Sequence, residues 1–273
     1  MTLPVAEKRA AFRALHQQGC FVLPNPWDIG SARMFEHLGF KALASTSSGY
    51  AWTLGRPDNG VARDDVLAHL RQLSNAVALP INADFEAGFA ADPPGVATNV
   101  TLAIDAGIAG LSLEDNDMAH PGQLYDLPQA VERVRAARQA IDQSGHDVLL
   151  VARTEGLLLD RSALTPAIDK LVAFAEAGAD CLYAPGVVDK ADIAAIVRAV
   201  APKPVNVLMM GPGLSVAALA DLGVRRISVG GGLARVGWAA ITAAAEQLQA
   251  GSFDGLATGM SGQKLNTIFK QVE

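Results

Sequence analysis

Residues 147–185 read DVLLVARTEGLLLDRSALTPAIDKLVAFAEAGADCLYAP. An apolar run at 147–154 precedes a helical stretch at 164–177, and a second apolar run follows at 181–185. Strands apolar on both faces belong to a sheet covered on both sides, and a helix between two of them implies a right-handed parallel crossover. The same rhythm extends in both directions. Strands are expected at 20–24, 42–46, 79–84 and 110–115 on one side, and at 204–210 and 226–230 on the other. Helices are expected at 28–38, 62–77, 95–106, 127–143, 189–200, 214–222 and 233–249. Eight β-then-α units predict a (β/α)8 TIM barrel. A doubly wound sheet is the competitor, but the turn after the first strand reads NPWDIGSAR (25–33) and is no G-x-G-x-x-G.

The 273 residues are half hydrophobic, enough for one barrel spanning 1–273. An N-terminal helix is expected to plug or flank the barrel bottom. Residues 252–273 form a C-terminal extension ending in a helix with Leu265, Ile268, Phe269 and Val272 on one face. The net charge of −6 and the lack of a basic run beyond Arg225-Arg226 argue against nucleic acid or an anionic membrane as partner. Cys20 and Cys181 show no metal or disulfide spacing and are expected to be buried thiols in a reducing cytoplasm.

In such a barrel the active site lies at the carboxyl ends of the strands. Asp84 and Glu114 end strands 3 and 4, Glu86 follows strand 3, and Asp58 sits on the strand-2 loop. Four carboxylates at one mouth repel unless a cation joins them, and hard oxygen donors suit Mg2+ or Mn2+. Asp84 is the expected direct ligand, with Glu114, Asp58 and Glu86 acting through water. Arg153 is the cation at a strand end, suited to gripping a carboxylate, or else to pairing with Glu155 or Glu114. Thr46, Ser47 and Ser48 offer hydroxyls and backbone N–H groups to a second carboxylate. Asn206, buried in a strand, needs a partner: a ligand oxygen or a backbone group.

These motifs resemble the isocitrate lyase/phosphoenolpyruvate mutase superfamily. The likeness rests on Asn82-Ala83-Asp84 with Glu86 and Gly88, Leu113-Glu114-Asp115, Val151 to Glu155, Asn25 to Arg33, and Gly55-Arg56-Pro57-Asp58. It covers about residues 4–250. The resemblance implies a Mg2+-bound 2-oxo acid at the barrel mouth. It also implies helix 8 exchanged between neighbouring subunits, in a dimer or a tetramer. Asp84, Glu114 and Asp58 match the family's metal-site acids, Arg153 its carboxylate arginine, and Thr46 to Ser48 its carboxylate-binding turn.

Two departures narrow the chemistry. The loop after strand 4, Asn116 to Tyr125, has neither the Cys of the lyases nor the Lys of the phosphonate enzymes. Asn82 replaces the first acid of an Asp-x-Asp pair. What remains is cleavage of a C–C bond beta to a 2-oxo carbonyl through an enolate, as in oxaloacetate decarboxylation or a related lyase reaction. His120 and Tyr125 are candidate proton donors. The alternatives are phosphonopyruvate-type C–P chemistry, a phosphate-binding barrel using Gly230 to Gly232, and a non-catalytic protein that binds 2-oxoglutarate or another 2-oxo acid.

Overall fold

The computed structural model describes residues 3–270; Val272 of the expected tail face lies outside them. Eight strands run parallel: β1 (Phe21–Leu23), β2 (Leu43–Ala44), β3 (Ile81–Asp84), β4 (Gly110–Glu114), β5 (Leu149–Arg153), β6 (Cys181–Tyr183), β7 (Val205–Leu208) and β8 (Arg226–Ser228). Their order is β1-β8-β7-β6-β5-β4-β3-β2, a nearly closed barrel. Between its two edges the Ala44 N–H donates to the Pro24 carbonyl at 3.1 Å. Asn25 ties the same seam, donating to the Ser45 carbonyl and accepting from the Val229 and Gly230 N–H groups.

The helices are α1 (Val5–Gln17), α2 (Ile29–His37), α3 (Ser47–Thr53), α4 (Arg63–Ala76), α5 (Pro93–Asp105), α6 (Leu127–Ser144), α7 (Gly156–Leu159), α8 (Leu164–Glu176), α9 (Lys190–Val200), α10 (Val216–Asp221), α11 (Gly232–Gln249) and α12 (Gly262–Phe269). Short polar residues start several of them. Asp28 and Ser31 form a capping box on α2, and Asp92 and Asp126 cap α5 and α6, each followed by proline in the first turn. The predicted rhythm therefore holds, with strands shorter than the apolar runs by one to three residues. Two short helices, α3 and α7, were not expected. They occupy the loops after β2 and β5.

Alternation along the strands divides two cores. One parity packs outward under the helices, in the large cluster that includes Leu111, Leu113, Leu150, Leu182 and Phe174. The other parity points into the barrel. At the bottom Phe12 of α1 is fully buried with Leu23, Ala42 and Leu149, so the N-terminal helix does plug the barrel. Lys8 and Arg9 fasten it, donating to the carbonyls of Ser74, Val77, Ile104 and Ile108. Above Phe12 lies Arg226. It is 2% exposed because it holds an inward position on β8. Asn206 accepts from it at 3.0 Å and Asn82 at 3.1 Å.

After β8 the chain leaves the barrel wall. Helix α11 exposes Val236, Trp238, Ile241 and Leu248. The C-terminal helix α12 rests instead on α2. Among the described residues no helix is long and apolar enough to cross a membrane.

Candidate active site

The inward parity carries the candidate residues upward. Asp84 ends β3, Glu114 ends β4 and Arg153 ends β5, with Glu114 in register with Arg153 and Arg153 in register with Tyr183 of β6. Together with Thr46, Ser47, Ser48, Asp58 and Glu155 they line a cavity of about 220 Å3 at the mouth.

Arg153 is the centre of charge. Its guanidinium lies 3.6 Å from Asp84 and 3.4 Å from Glu114, and Nε donates to Glu155. Its face stacks over the Tyr183 ring at 5.1 Å. Burial opposes the charge, but Glu114 and Glu155 outweigh it and hold Arg153 well above its usual pKa. Both internal partners weighed from the sequence are therefore present, and the guanidinium still faces the cavity.

Asp84 is held by α3. One oxygen, Oδ2, accepts from the Ser47 N–H and hydroxyl, both at 2.9 Å. The other, Oδ1, faces Arg153. The Ser47 groups expected to meet a substrate thus already serve Asp84. Thr46 caps α3 by accepting from the Gly49 N–H, and its hydroxyl meets that of Ser48.

Glu86 gets its position from a strained loop. Glu86, Gly88 and Phe89 all have positive φ, 47°, 78° and 54°. At Gly88 a Cβ would come 3.0 Å from Leu113 Cδ1. Asn99 donates to the Gly88 and Phe89 carbonyls, and Arg133 of α6 donates to those of Ala87, Ala90 and Ala91. The sequence reading missed Arg133, since a helix arginine carries no motif. Burial, then the charges of Asp84, Glu114 and Asp58, push the Glu86 carboxyl up to about 8. Burial raises Glu114 to about 7 against the pull of Arg153, while Asn116 donates to it at 2.8 Å. Loss of solvent, then Asp84, raise Asp58.

A second network braces the first. Asp115 accepts from the Thr154 hydroxyl at 2.8 Å, the Glu155 N–H at 2.9 Å and Lys170 of α8 at 2.6 Å. Lys170 also donates to the Tyr125 carbonyl. Asp115 was visible in the sequence beside Glu114, but its partner stands 55 residues away, so spacing gave no signal.

Glu86 is not among the residues that line the cavity, and neither are three other expected residues. His120 is exposed, its Nδ1 2.8 Å from Asp117. Tyr125 is drawn inward under the Arg133 guanidinium, 4.2 Å from its ring, where a bridge between Asn116 and Leu124 closes the loop. Asn206 spends its amide on Ser228 and its oxygen on Arg226, so its partners are protein side chains. Asn82 also faces the barrel centre, with its oxygen on Arg226.

The donor set suits a hard divalent cation. The acids crowd one another, and a cation would relieve the repulsion that adds to burial in raising Glu86 and Asp58. Among the described residues no three His, Cys, Asp or Glu stand close enough to cage an ion. Few direct ligands and several waters is the coordination Mg2+ favours.

The sequence model described as phosphoenolpyruvate phosphomutase matches residues 12–249. The chain belongs to the isocitrate lyase/phosphoenolpyruvate mutase superfamily. Members of the superfamily are lyases and mutases acting on C–C or C–P bonds. A solved structure described as a candidate lyase/mutase, from Burkholderia cenocepacia J2315, is 43% identical. It superposes with a TM-score of 0.94 over 98% of both chains. The 2-methylisocitrate lyase of Escherichia coli K12 is 32% identical over 182 residues, 63% of this chain and 60% of that one. The oxaloacetate decarboxylase of Rhodopseudomonas palustris BisB18 is 28% identical over 234 residues, 81% of this chain and 77% of that one.

Proposed function

We propose that this protein cleaves a C–C bond beta to the carbonyl of a 2-oxo acid with the help of Mg2+ or Mn2+, and that decarboxylation is its simplest form. The observation that carries the reading is Arg153 held among Asp84, Glu114 and Glu155 at the mouth. Asp84 would hold the metal, with Glu114, Asp58 and Glu86 contributing through water. The metal would supply Lewis-acid polarisation of the 2-oxo carbonyl.

Arg153 binds the C1 carboxylate and stabilises the charge that develops on the 2-oxo oxygen. In decarboxylation the C3–C4 bond breaks and its electron pair moves into C2–C3 and onto that oxygen. CO2 leaves, and a solvent proton ends on C3. No protein acid is required, and the residues lining the mouth include no His, Cys or Lys. Glu155, Asp115 and Lys170 act as positioning residues for Arg153. Thr46 and Ser48 line the same cavity and orient the carboxylate.

The test is turnover of 2-oxo-dicarboxylates with a free Mg2+ titration. Release of a shorter 2-oxo acid that vanishes with EDTA and returns with Mg2+ supports the reading. Tight binding without turnover would replace it with a 2-oxo acid binding protein.

The exposed stripe of Trp238, Ile241 and Leu248 on α11 supports a second proposal, that α11 packs on a second copy of this chain.

A further inference from the structure

The mouth is chemically lopsided. The acids and Arg153 come from the sector of β2 to β5. The facing sector, β6 and β7 with α7 after β5, presents Tyr183, Leu208, Met210 and Leu158 to the same cavity. Leu158 and Met210 are each 48% exposed, so they form an open wall and not a packed core. Gly230 lets that wall close on the barrel rim. A Cβ there would come 3.2 Å from Leu208 Cδ1 and 3.6 Å from Met210 Sδ.

Charge sharpens the asymmetry. Asp58, Asp84, Glu114 and Glu155 line the cavity against one cation, Arg153. A divalent metal and Arg153 are matched by one substrate carboxylate, the 2-oxo oxygen and the acids themselves. A further anion retained on the substrate would meet no free positive charge within the mouth. Arg56 and Arg235 line only the adjoining cleft, which also contains Met210, and Arg56 lies 3.4 Å from Asp65.

We infer that the group remaining on C3 after cleavage is aliphatic, lodged against Leu158, Leu208 and Met210. This rests on the proposed 2-oxo acid chemistry and names its substrate class: 2-oxo-dicarboxylates alkylated at C3, which release straight-chain 2-oxo monocarboxylates.

The product series tests this by binding alone. Calorimetry with Mg2+ present compares pyruvate, 2-oxobutanoate, 2-oxopentanoate and 2-oxoglutarate. Burial of each added methylene should tighten binding roughly fourfold. The five-carbon 2-oxoglutarate, whose distal carboxylate would lose water against the apolar wall, should bind at least ~10-fold more weakly than 2-oxopentanoate. Met210→Lys should reverse that order. Flat affinity along the alkyl series overturns the inference, as does 2-oxoglutarate binding as tightly as 2-oxopentanoate, or no binding of any of the four. The predicted order without turnover of any 2-oxo-dicarboxylate would keep the aliphatic subsite at Leu158, Leu208 and Met210 but sink the proposed reaction, and with it the substrate class.

Discussion

Lys170 and Asp115 meet at 2.6 Å, with Asp115 1% exposed and Lys170 16%. The pair joins α8 to the end of β4, and through Thr154 and the Glu155 N–H it reaches the end of β5. Removing one partner leaves a buried charge without compensation. Lys170→Met should lower the unfolding free energy by about 3 kcal/mol, read from urea denaturation. The double variant Lys170→Met with Asp115→Leu should recover part of that loss. An unchanged midpoint in the single variant would show the pair to be ornamental.

Arg153→Lys keeps the charge but loses the planar fork that reaches Asp84, Glu114 and Glu155 together. Turnover should fall about 100-fold or more, while Mn2+ binding persists, because the metal donors are untouched. Loss of both together would place the arginine's role in building the metal site.

His16 and His69 are buried, and each has an Nε2 atom without a partner. Burial lowers His16 to about 3 and His69 to about 4. Above the unfolded value near 6.5 neither contributes to pH dependence. Below it the unfolded chain takes up protons that the folded chain refuses, so stability is lost as pH falls from about 6.5 toward 4. Raised acids such as Glu86 act in the opposite direction, so a difference between proteins is the clean readout. His69 stacks on Tyr50 at 3.8 Å, and phenylalanine can keep that stack. Between pH 7.5 and 5, His69→Phe should lose about 1–2 kcal/mol less than the native chain. Parallel pH profiles would contradict the assignment.

Ile241 is 60% exposed at the middle of the α11 stripe. If α11 packs on a second copy, Ile241→Glu should shift the chain toward monomer in sedimentation velocity and lower its thermal midpoint. A monomeric native chain would remove the proposal.

The barrel was legible because its signal is dense: each apolar run from 20–24 to 226–230 coincides with a strand, and each long amphipathic run with a helix. Asp84, Glu114 and Arg153 were legible for the same reason, since strand ends define the mouth. Side-chain partners were less so. Asn206 read as a partner for a ligand oxygen or a backbone group and Asn82 as the replacement of an acid, yet both turn to Arg226, which points inward from β8. His120 and Tyr125 looked like loop donors because composition cannot show that Asp117 and Arg133 hold them elsewhere. The Ser47 groups read as ligands for a carboxylate, and that carboxylate is Asp84.

The most direct test of metal-assisted cleavage compares the native chain with Asp84→Ala at equal free Mg2+. The quantity measured is release of 2-oxo acid from oxaloacetate and its 3-methyl derivative. Free Mg2+ alone decarboxylates such acids, so the variant sets the background. Release at least ~100-fold above the variant is the predicted result. Equal rates for the two proteins on both substrates would contradict it.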